Sequence, residues 1–345
     1  MSHPTIAAII CTHNRASYLG AAIDSLLSQD CEDYEILVVD NASTDETSEI
    51  VQTRLNTERG QACLRYVYES TLGLSVARNR GAQETTATIL AYLDDDAEAS
   101  PQWLRVLQTA YAQQDSLVIA GGRVDLRWPP GRTAPPWMSE ELMSALGIMN
   151  LGDTPRAITT SNLTPRGVNY SIRRSFLEAV GGFDPSLGRV GTKLLSNEEL
   201  YMTELALKQG WQVGYFPDAL VYHHVAPERL KRSWFFRRSW WQGISEYYRQ
   251  YIAEQTTGEM AAKKRSSRQI LQGMEGCLRG IAKSIKYINQ TDRCWENLIY
   301  AYGQLGYIWQ ALQGPDSDFV NSASVPTPPQ PTSQVNVSEP DVFKT

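Results

Sequence analysis

Three consecutive carboxylates, Asp94-Asp95-Asp96, follow directly on the apolar run Ile89-Leu90-Ala91-Tyr92-Leu93. Carboxylates at the end of a buried strand repel one another and resist desolvation, so such a junction is either hydrated or holds a cation. Open α/β sheets bind ligands at the carboxyl ends of their strands, and hard divalent cations prefer oxygen ligands. The competing reading is an acidic turn ahead of a helix, with Ser100 as N-cap and Pro101 in the first turn. A second group of chemistry-bearing residues lies downstream. Ser196-Asn197-Glu198-Glu199 opens a helix that ends at Gly210; after Val213-Gly214-Tyr215-Phe216 and an expected proline turn, Ala219-Leu220-Val221-Tyr222 runs into His223-His224. Glu198 and Glu199 offer a carboxylate base, or they complete a capping box with Ser196 and complement the helix dipole. A histidine closing a strand offers a cation ligand, or is only structural.

These residues need a scaffold that brings them together. Strand-like runs occur at Thr5–Cys11, Glu35–Val39, Leu64–Tyr68, Thr88–Leu93 and Leu117–Ala120. Between the first two, Leu19, Ile23, Leu26 and Leu27 fall on one helical face. Ser43-Thr44-Asp45-Glu46 reads as a capping-box start, and helices are expected over 75–87 and 101–113. Strands separated by helices imply an α/β fold with a mostly parallel sheet and loops converging on its C-terminal edge. Three of those loops are polar: Thr12-His13-Asn14-Arg15, Asp40-Asn41-Ala42-Ser43 and the triple Asp. No glycine-rich turn follows the first strand, which excludes the dinucleotide fingerprint and the P-loop. A nucleotide would be held otherwise, with Asp40 accepting from base or ribose and Arg15 and Arg78 facing phosphates. Surface ion pairs are the alternative for both arginines.

The chain of 345 residues is 42% hydrophobic, enough for a sizeable core. No stretch approaches a membrane span and no leader pattern opens the chain, so the cytoplasm is the expected compartment. Five scattered cysteines suggest neither a disulfide framework nor a zinc site. The net charge of −6 hides an asymmetry: residues 228–295 carry 14 Lys and Arg against 6 Asp and Glu, leaving −14 on the remainder. A basic, aromatic-rich C-terminal third points to an anionic partner, either a membrane surface or a phosphorylated acceptor, or else to a solvated helical face.

In order, the chain presents Ile9-Ile10-Cys11-Thr12-His13-Asn14-Arg15, Ile36-Leu37-Val38-Val39-Asp40-Asn41-Ala42-Ser43-Thr44-Asp45 and Gly73-Leu74-Ser75-Val76-Ala77-Arg78-Asn79-Arg80-Gly81. Then come Leu93-Asp94-Asp95-Asp96, Gly167-Val168-Asn169-Tyr170-Ser171-Ile172-Arg173, Gly181-Gly182-Phe183-Asp184, Asn197-Glu198-Glu199-Leu200 and Val221-Tyr222-His223-His224. Over about residues 5–238 this series resembles the family 2 glycosyltransferases of GT-A fold. The resemblance implies a Rossmann-like, mostly parallel sheet flanked by helices, and an inverting transfer from a nucleotide-diphosphate sugar, with UDP the expected nucleotide. It implies a binding set of Thr12, Asn14, Arg15, Asp40, Arg78, Asp94 and Asp95, in which Asp40 bonds the base and Asp94 the ribose or donor sugar. Asp96 and His223 would hold Mg²⁺ or Mn²⁺. Glu199 stands where the family places its catalytic base, although the pair here is Glu-Glu rather than Glu-Asp, so Glu198 is kept as the second candidate.

The expected organisation is a catalytic domain over 1–226, with a nucleotide-binding half to about 120 and an acceptor half after it. A basic, aromatic-rich helical extension over 227–313 and a disordered tail over 314–345 would follow. The tryptophan- and proline-rich stretch 127–143 fits an acceptor-side loop, or packing against the core. Trp234-Phe235-Phe236-Arg237-Arg238-Ser239-Trp240-Trp241 suits an interfacial helix, or one packed on the catalytic domain with its arginines directed at the donor phosphates. The expected partners are a nucleotide sugar and a glycan or lipid-linked acceptor, with a peripheral contact through 228–295 at the inner face of the membrane and no nucleic acid. A sugar-nucleotide nucleotidyltransferase and a non-catalytic nucleotide- or glycan-binding protein are the alternatives.

Overall fold

In a computed structural model describing residues 4–257 and 262–315, the first half alternates strands and helices as the apolar periodicities require. The order is β1 (Ile6–Thr12), α1 (Ala16–Leu27), β2 (Tyr34–Asp40), α2 (Thr47–Leu55), α3 (Glu58–Cys63), β3 (Leu64–Tyr68), α4 (Leu74–Gln83), β4 (Ile89–Asp94), β5 (Ala97–Ala99) and α5 (Trp103–Gln113). The second half contributes β6 (Leu117–Arg127), α6 (Glu140–Ser144), β7 (Arg156–Ala157), β8 (Asn169–Arg173), α7 (Arg174–Ala179), α8 (Glu198–Lys208) and β9 (Gln212–His224). It is followed by α9 (Arg232–Thr257), α10 (Ala262–Lys286) and α11 (Thr291–Gln313).

One nine-stranded sheet runs β3-β2-β1-β4-β8-β6-β9-β5, with β7 on β9. The nucleotide half, β3-β2-β1-β4, is wholly parallel. Beyond β4 the sheet is mixed: β8 is antiparallel to β4 and β6, whereas β9 is parallel to β6. β1 and β2 are buried almost end to end, Ile6–Ile10 and Ile36–Val39, as strands covered on both faces must be. Leu19, Ile23 and Leu26 of α1 supply part of the cover.

Three local expectations are corrected. The helix foreseen from Pro101 begins at Trp103, because Ser100 is tied to the sheet by its N–H to the Leu220 carbonyl (2.9 Å). Phe216-Pro217-Asp218 does not split the last strand, and β9 runs unbroken from Gln212 to His224. A register shift between Gly122 and Val124 of β6 absorbs the irregularity, and a Cβ at Gly122 would lie 2.1 Å from the Ala219 carbonyl oxygen. Ser196 does not cap α8, for the reason given below.

The helical extension is packed against the catalytic half. Phe235 of α9 is buried, stacks edge-on against Trp137 (5.4 Å) and joins Met138, Leu142, Leu146, Val225 and Ile299 in one cluster. The tryptophan-rich stretch and the aromatic segment 234–241 therefore meet in the interior through Trp137 and Phe235. Among the described residues no helix is long and apolar enough to cross a membrane. The tail expected to be disordered lies, from residue 316, outside the described residues.

Candidate active site

The parallel register of β1 with β4 sets Cys11 beside Asp94, and antiparallel pairing of β5 with β9 sets Ala97 opposite His223. The triple Asp is the turn between β4 and β5, so these pairings bring its side chains to one point. His223 Nε2 lies 3.1 Å from Asp96 Oδ1, and its Nδ1 lies 2.6 Å from the Leu146 carbonyl oxygen. A carbonyl only accepts, so Nδ1 carries the proton and Nε2 turns toward the acids, the orientation of a metal-binding imidazole. Gly147, with φ +90°, makes room for that ring, since a Cβ there would sit 3.1 Å from Nδ1. One ligand atom from each of Asp94, Asp96 and His223 falls within 4.8 Å of the others. Two carboxylates and an imidazole suit a divalent cation such as Mn²⁺, so the residues fit the metal expected there. His224, the next residue along the strand, bonds Glu98 instead.

The charges around this point are unequal. Burial works against ionisation of Asp96, but its neighbours, His223 and the guanidinium groups of Arg229 (3.1 Å) and Arg15, hold its carboxyl well below the usual range. Asp95 is pushed the other way by burial and by Asp96, although it accepts from Thr12 Oγ1 at 2.8 Å. Asp95 thus anchors the turn to β1.

A second centre forms at the start of α8. Arg78, fully buried on α4, donates through Nη1 to Glu198 Oε1 (3.0 Å) and through Nη2 to Glu199 Oε1 (2.8 Å). Burial disfavours the charge on Arg78, but Glu199 and Glu198 outweigh it and raise its pKa. Glu198 is 2% exposed with Oε2 unpartnered, and burial together with the Glu199 charge pushes its pKa up to about 8. Glu199 is more open, at 14%. A Cβ on Gly167 would fall 1.9 Å from Glu199 Oε1, so the loop before β8 lies directly on this carboxylate.

Local sequence does not explain how α8 begins. Asn197 takes a left-handed φ of +88°, and its Oδ1 accepts from Gln242 Nε2 of α9 (2.8 Å). The Ser196 N–H donates to Ser245 Oγ (3.0 Å), and Ser196 Oγ donates to Gln242 Oε1 (3.1 Å). Ser196 is thereby drawn to α9 and the capping box is not made. Such a backbone conformation persists only where its surroundings hold it, and here α9 does so.

One cavity of about 990 Å³ has Thr12, Arg15, Arg78, Asp94, Asp95, Asp96, Glu198, Glu199 and His223 on its walls. Two expected members are not there. Asn14 accepts from the Thr44 N–H (2.7 Å), and Asp40 accepts from the Ser43 N–H (2.9 Å) and the Tyr66 hydroxyl (2.6 Å). Both shape the loops behind the cavity. Arg78, expected to face phosphate, is committed to the two glutamates. Sequence reasoning missed Arg166 and Arg229, whereas Arg238, read as one of two arginines directed at the donor phosphates if its helix packs on the catalytic domain, does line the cavity. Arg238 donates to Ser196 Oγ at 3.2 Å while its Nη1 is buried without a partner, and burial draws its pKa down to about 10. The position of Arg229, six residues beyond His223 in the basic segment, was the available signal.

Residues 7–180 match the family described as glycosyl transferase family 2. The chain is 27% identical over 246 residues to a glucosyl-dolichyl phosphate glucuronosyltransferase of Haloferax volcanii, covering 70% of this chain and 76% of that one. It is 29% identical to glycosyltransferase AglE of the same organism (66% and 70% covered), and 27% identical to the succinoglycan biosynthesis protein ExoM of Rhizobium meliloti (74% of each). Among solved structures, the mannosyltransferase PcManGT of Pyrobaculum calidifontis, in complex with GDP-Man and Mn²⁺, shares the fold with a TM-score of 0.54. That match spans 93% of this chain and 79% of that one at 17% identity.

Proposed function

This chain belongs to glycosyl transferase family 2, and on that footing we propose that it transfers a sugar from a nucleotide-diphosphate donor, with UDP the expected nucleotide, to a hydroxyl of a glycan acceptor. The acceptor class proposed is lipid-linked or polysaccharide glycan, in keeping with the dolichyl phosphate and succinoglycan named for two relatives. The observation that carries the reading is the shared cavity, which has the Asp94, Asp96 and His223 cluster and the Glu199 carboxylate among its lining residues.

Asp94, Asp96 and His223 would hold Mn²⁺ or Mg²⁺. A cation bound there would neutralise negative charge developing on the departing diphosphate. Arg15 and Arg229, already turned to Asp96, add positive charge on the same side. Glu199 accepts the proton of the acceptor hydroxyl as that oxygen attacks the anomeric carbon. Arg78 aims Glu199 through its 2.8 Å bond, and Glu198 in turn fixes Arg78. A single displacement inverts the anomeric centre. The enzyme would work at the cytoplasmic face of a membrane, in peripheral contact through residues 228–295.

Release of nucleotide from a panel of nucleotide sugars, with Mn²⁺ or Mg²⁺ and no acceptor, identifies the donor. With the donor known, Glu199→Gln is expected to lose turnover but keep nucleotide binding, and Asp96→Ala to lose stimulation by metal. Near-normal turnover in Glu199→Gln would remove that residue from the base role.

A further inference from the structure

α10 is packed inside out. Its Gly273, Gly276 and Gly280 meet Ile308, Gln304 and Ala301 of α11, and Gln269 and Ser284 along the same side are buried. The aliphatic residues point elsewhere: Leu271, Met274, Leu278, Ile281, Ile285 and, just past the helix, Ile288 are 40–68% exposed. Steps of alternately three and four residues keep them on a single stripe. A helix of a water-soluble domain turns such a stripe to its core; α10 turns it outward. α11 adds a shorter stripe of the same spacing, Tyr302, Leu305, Trp309 and Leu312, 38–66% exposed. The rings of Tyr302 and Trp309 stand 5.5 and 6.0 Å from that of Trp240.

We propose that the outward stripe of α10, with that of α11, seats on an anionic lipid bilayer, α10 lying in the headgroup plane. The assignment rests on the membrane contact proposed above and moves it from the aromatic segment 234–241, which is packed inward, to this face. Charge selects the occupant. Residues 262–286 hold seven Lys and Arg against one acid, Glu275, which pairs with Arg279 at 2.8 Å. By helical position Arg268, Arg279 and Lys286 run along one flank of the stripe. Two copies of α10 brought face to face would set like charges together, whereas anionic headgroups compensate them. Tyrosine and tryptophan suit the headgroup level. Arg279 and Lys283 of α10 also line the cavity, which sets that wall beside the headgroups.

The test is co-sedimentation of the full chain with vesicles of phosphatidylcholine alone and of phosphatidylcholine with phosphatidylglycerol, at low and high salt. Binding is expected to the anionic vesicles and to weaken with salt. Leu278→Gln/Ile281→Gln/Ile285→Gln should bind at least about tenfold more weakly. Arg268→Gln/Lys286→Gln should lose about 25-fold, roughly fivefold for each cation near the surface. Absence of wild-type binding at low salt would overturn the proposal, as would undiminished binding by the triple variant. A solution dimer that the triple variant converts to monomer, without vesicle binding, would assign the face to a second copy instead. Donor hydrolysis in vesicle-free buffer is expected in all three proteins. Its absence from the wild type would count against the transferase mechanism and leave the surface assignment to the vesicles.

Discussion

Gly167→Ala isolates the geometry of the base. The added Cβ would stand 1.9 Å from Glu199 Oε1 and 2.8 Å from Arg78 Nη2, short of the 3.0 Å below which real contacts essentially never occur. The carboxylate must therefore retreat by roughly 1 Å, or the loop must lift by as much, and the 2.8 Å bond to Arg78 is broken or bent. Misplacement on that scale costs about a hundredfold in rate, or about 2.7 kcal/mol of activation free energy. The backbone at Gly167 has no positive φ, so alanine brings no conformational strain and the fold should persist. Steady-state kinetics on the identified donor should show kcat down about a hundredfold, with nucleotide affinity unchanged by titration. Glu199→Asp withdraws the carboxylate by one carbon–carbon bond, about 1.5 Å. In the double variant the clash is relieved, so Gly167→Ala/Glu199→Asp should be faster than Gly167→Ala alone, a coupling only residues in contact display. A Gly167→Ala enzyme within a factor of three of wild type would refute the reasoning, and a double variant no better than the single would deny that the clash is the cause.

Glu198, the buried member of the pair, governs stability rather than turnover. Its folded pKa of about 8 lies above the ordinary 4.5, so its stabilising contribution is complete below 4.5 and is lost as pH rises through 8. Glu198→Gln keeps an acceptor for Arg78 and removes this titration. Its melting temperature should fall less than that of wild type between pH 5 and 8.5, by about 5 °C or more, and parallel curves would contradict the assignment. Gln242→Ala releases Asn197 from its left-handed conformation; kcat is expected to fall about tenfold at nearly constant KM for the donor, and Gln242→Glu, which keeps an oxygen for Ser196 but cannot donate to Asn197, should not rescue it. Recovery in Gln242→Glu would point to Ser196 as the residue being positioned.

The parallel part of the sheet was legible because its signals are local. Alternating apolar runs and helical faces place β1 to β4 within two residues of their observed ends, and fully buried parallel strands leave few other solutions. The nearness of Asp96 and His223 was legible for a related reason, since strand order carries strand-end residues to one edge; Asp94, expected to contact the ribose or donor sugar, falls in the same candidate cluster. Asp40 and Asn14 stand at equally good edge positions, but their side chains are consumed by turns around Ser43 and Thr44. Position could not reveal that. The start of α8 was misread because Ser196 and Glu199 make a sound capping box on paper, and Ser245 and Gln242, more than 40 residues away, compete for the same groups. Arg238 was legible only as one of two readings of its helix, and Arg229 escaped notice because its role depends on the chain folding back over the cavity, which no local pattern announces.

The clamp of α9 on α8 also carries a meaning in time. A chain emerges from synthesis amino end first. When Glu199 appears, β1 to β8 and its Arg78 partner are already made, but β9 with His223, Arg229 and Gln242 are not. The residues that steady the base and crowd the cation site therefore arrive last. The proposed cation ligand His223 comes late with them, so the cation site and the support of the base are completed together rather than in turn.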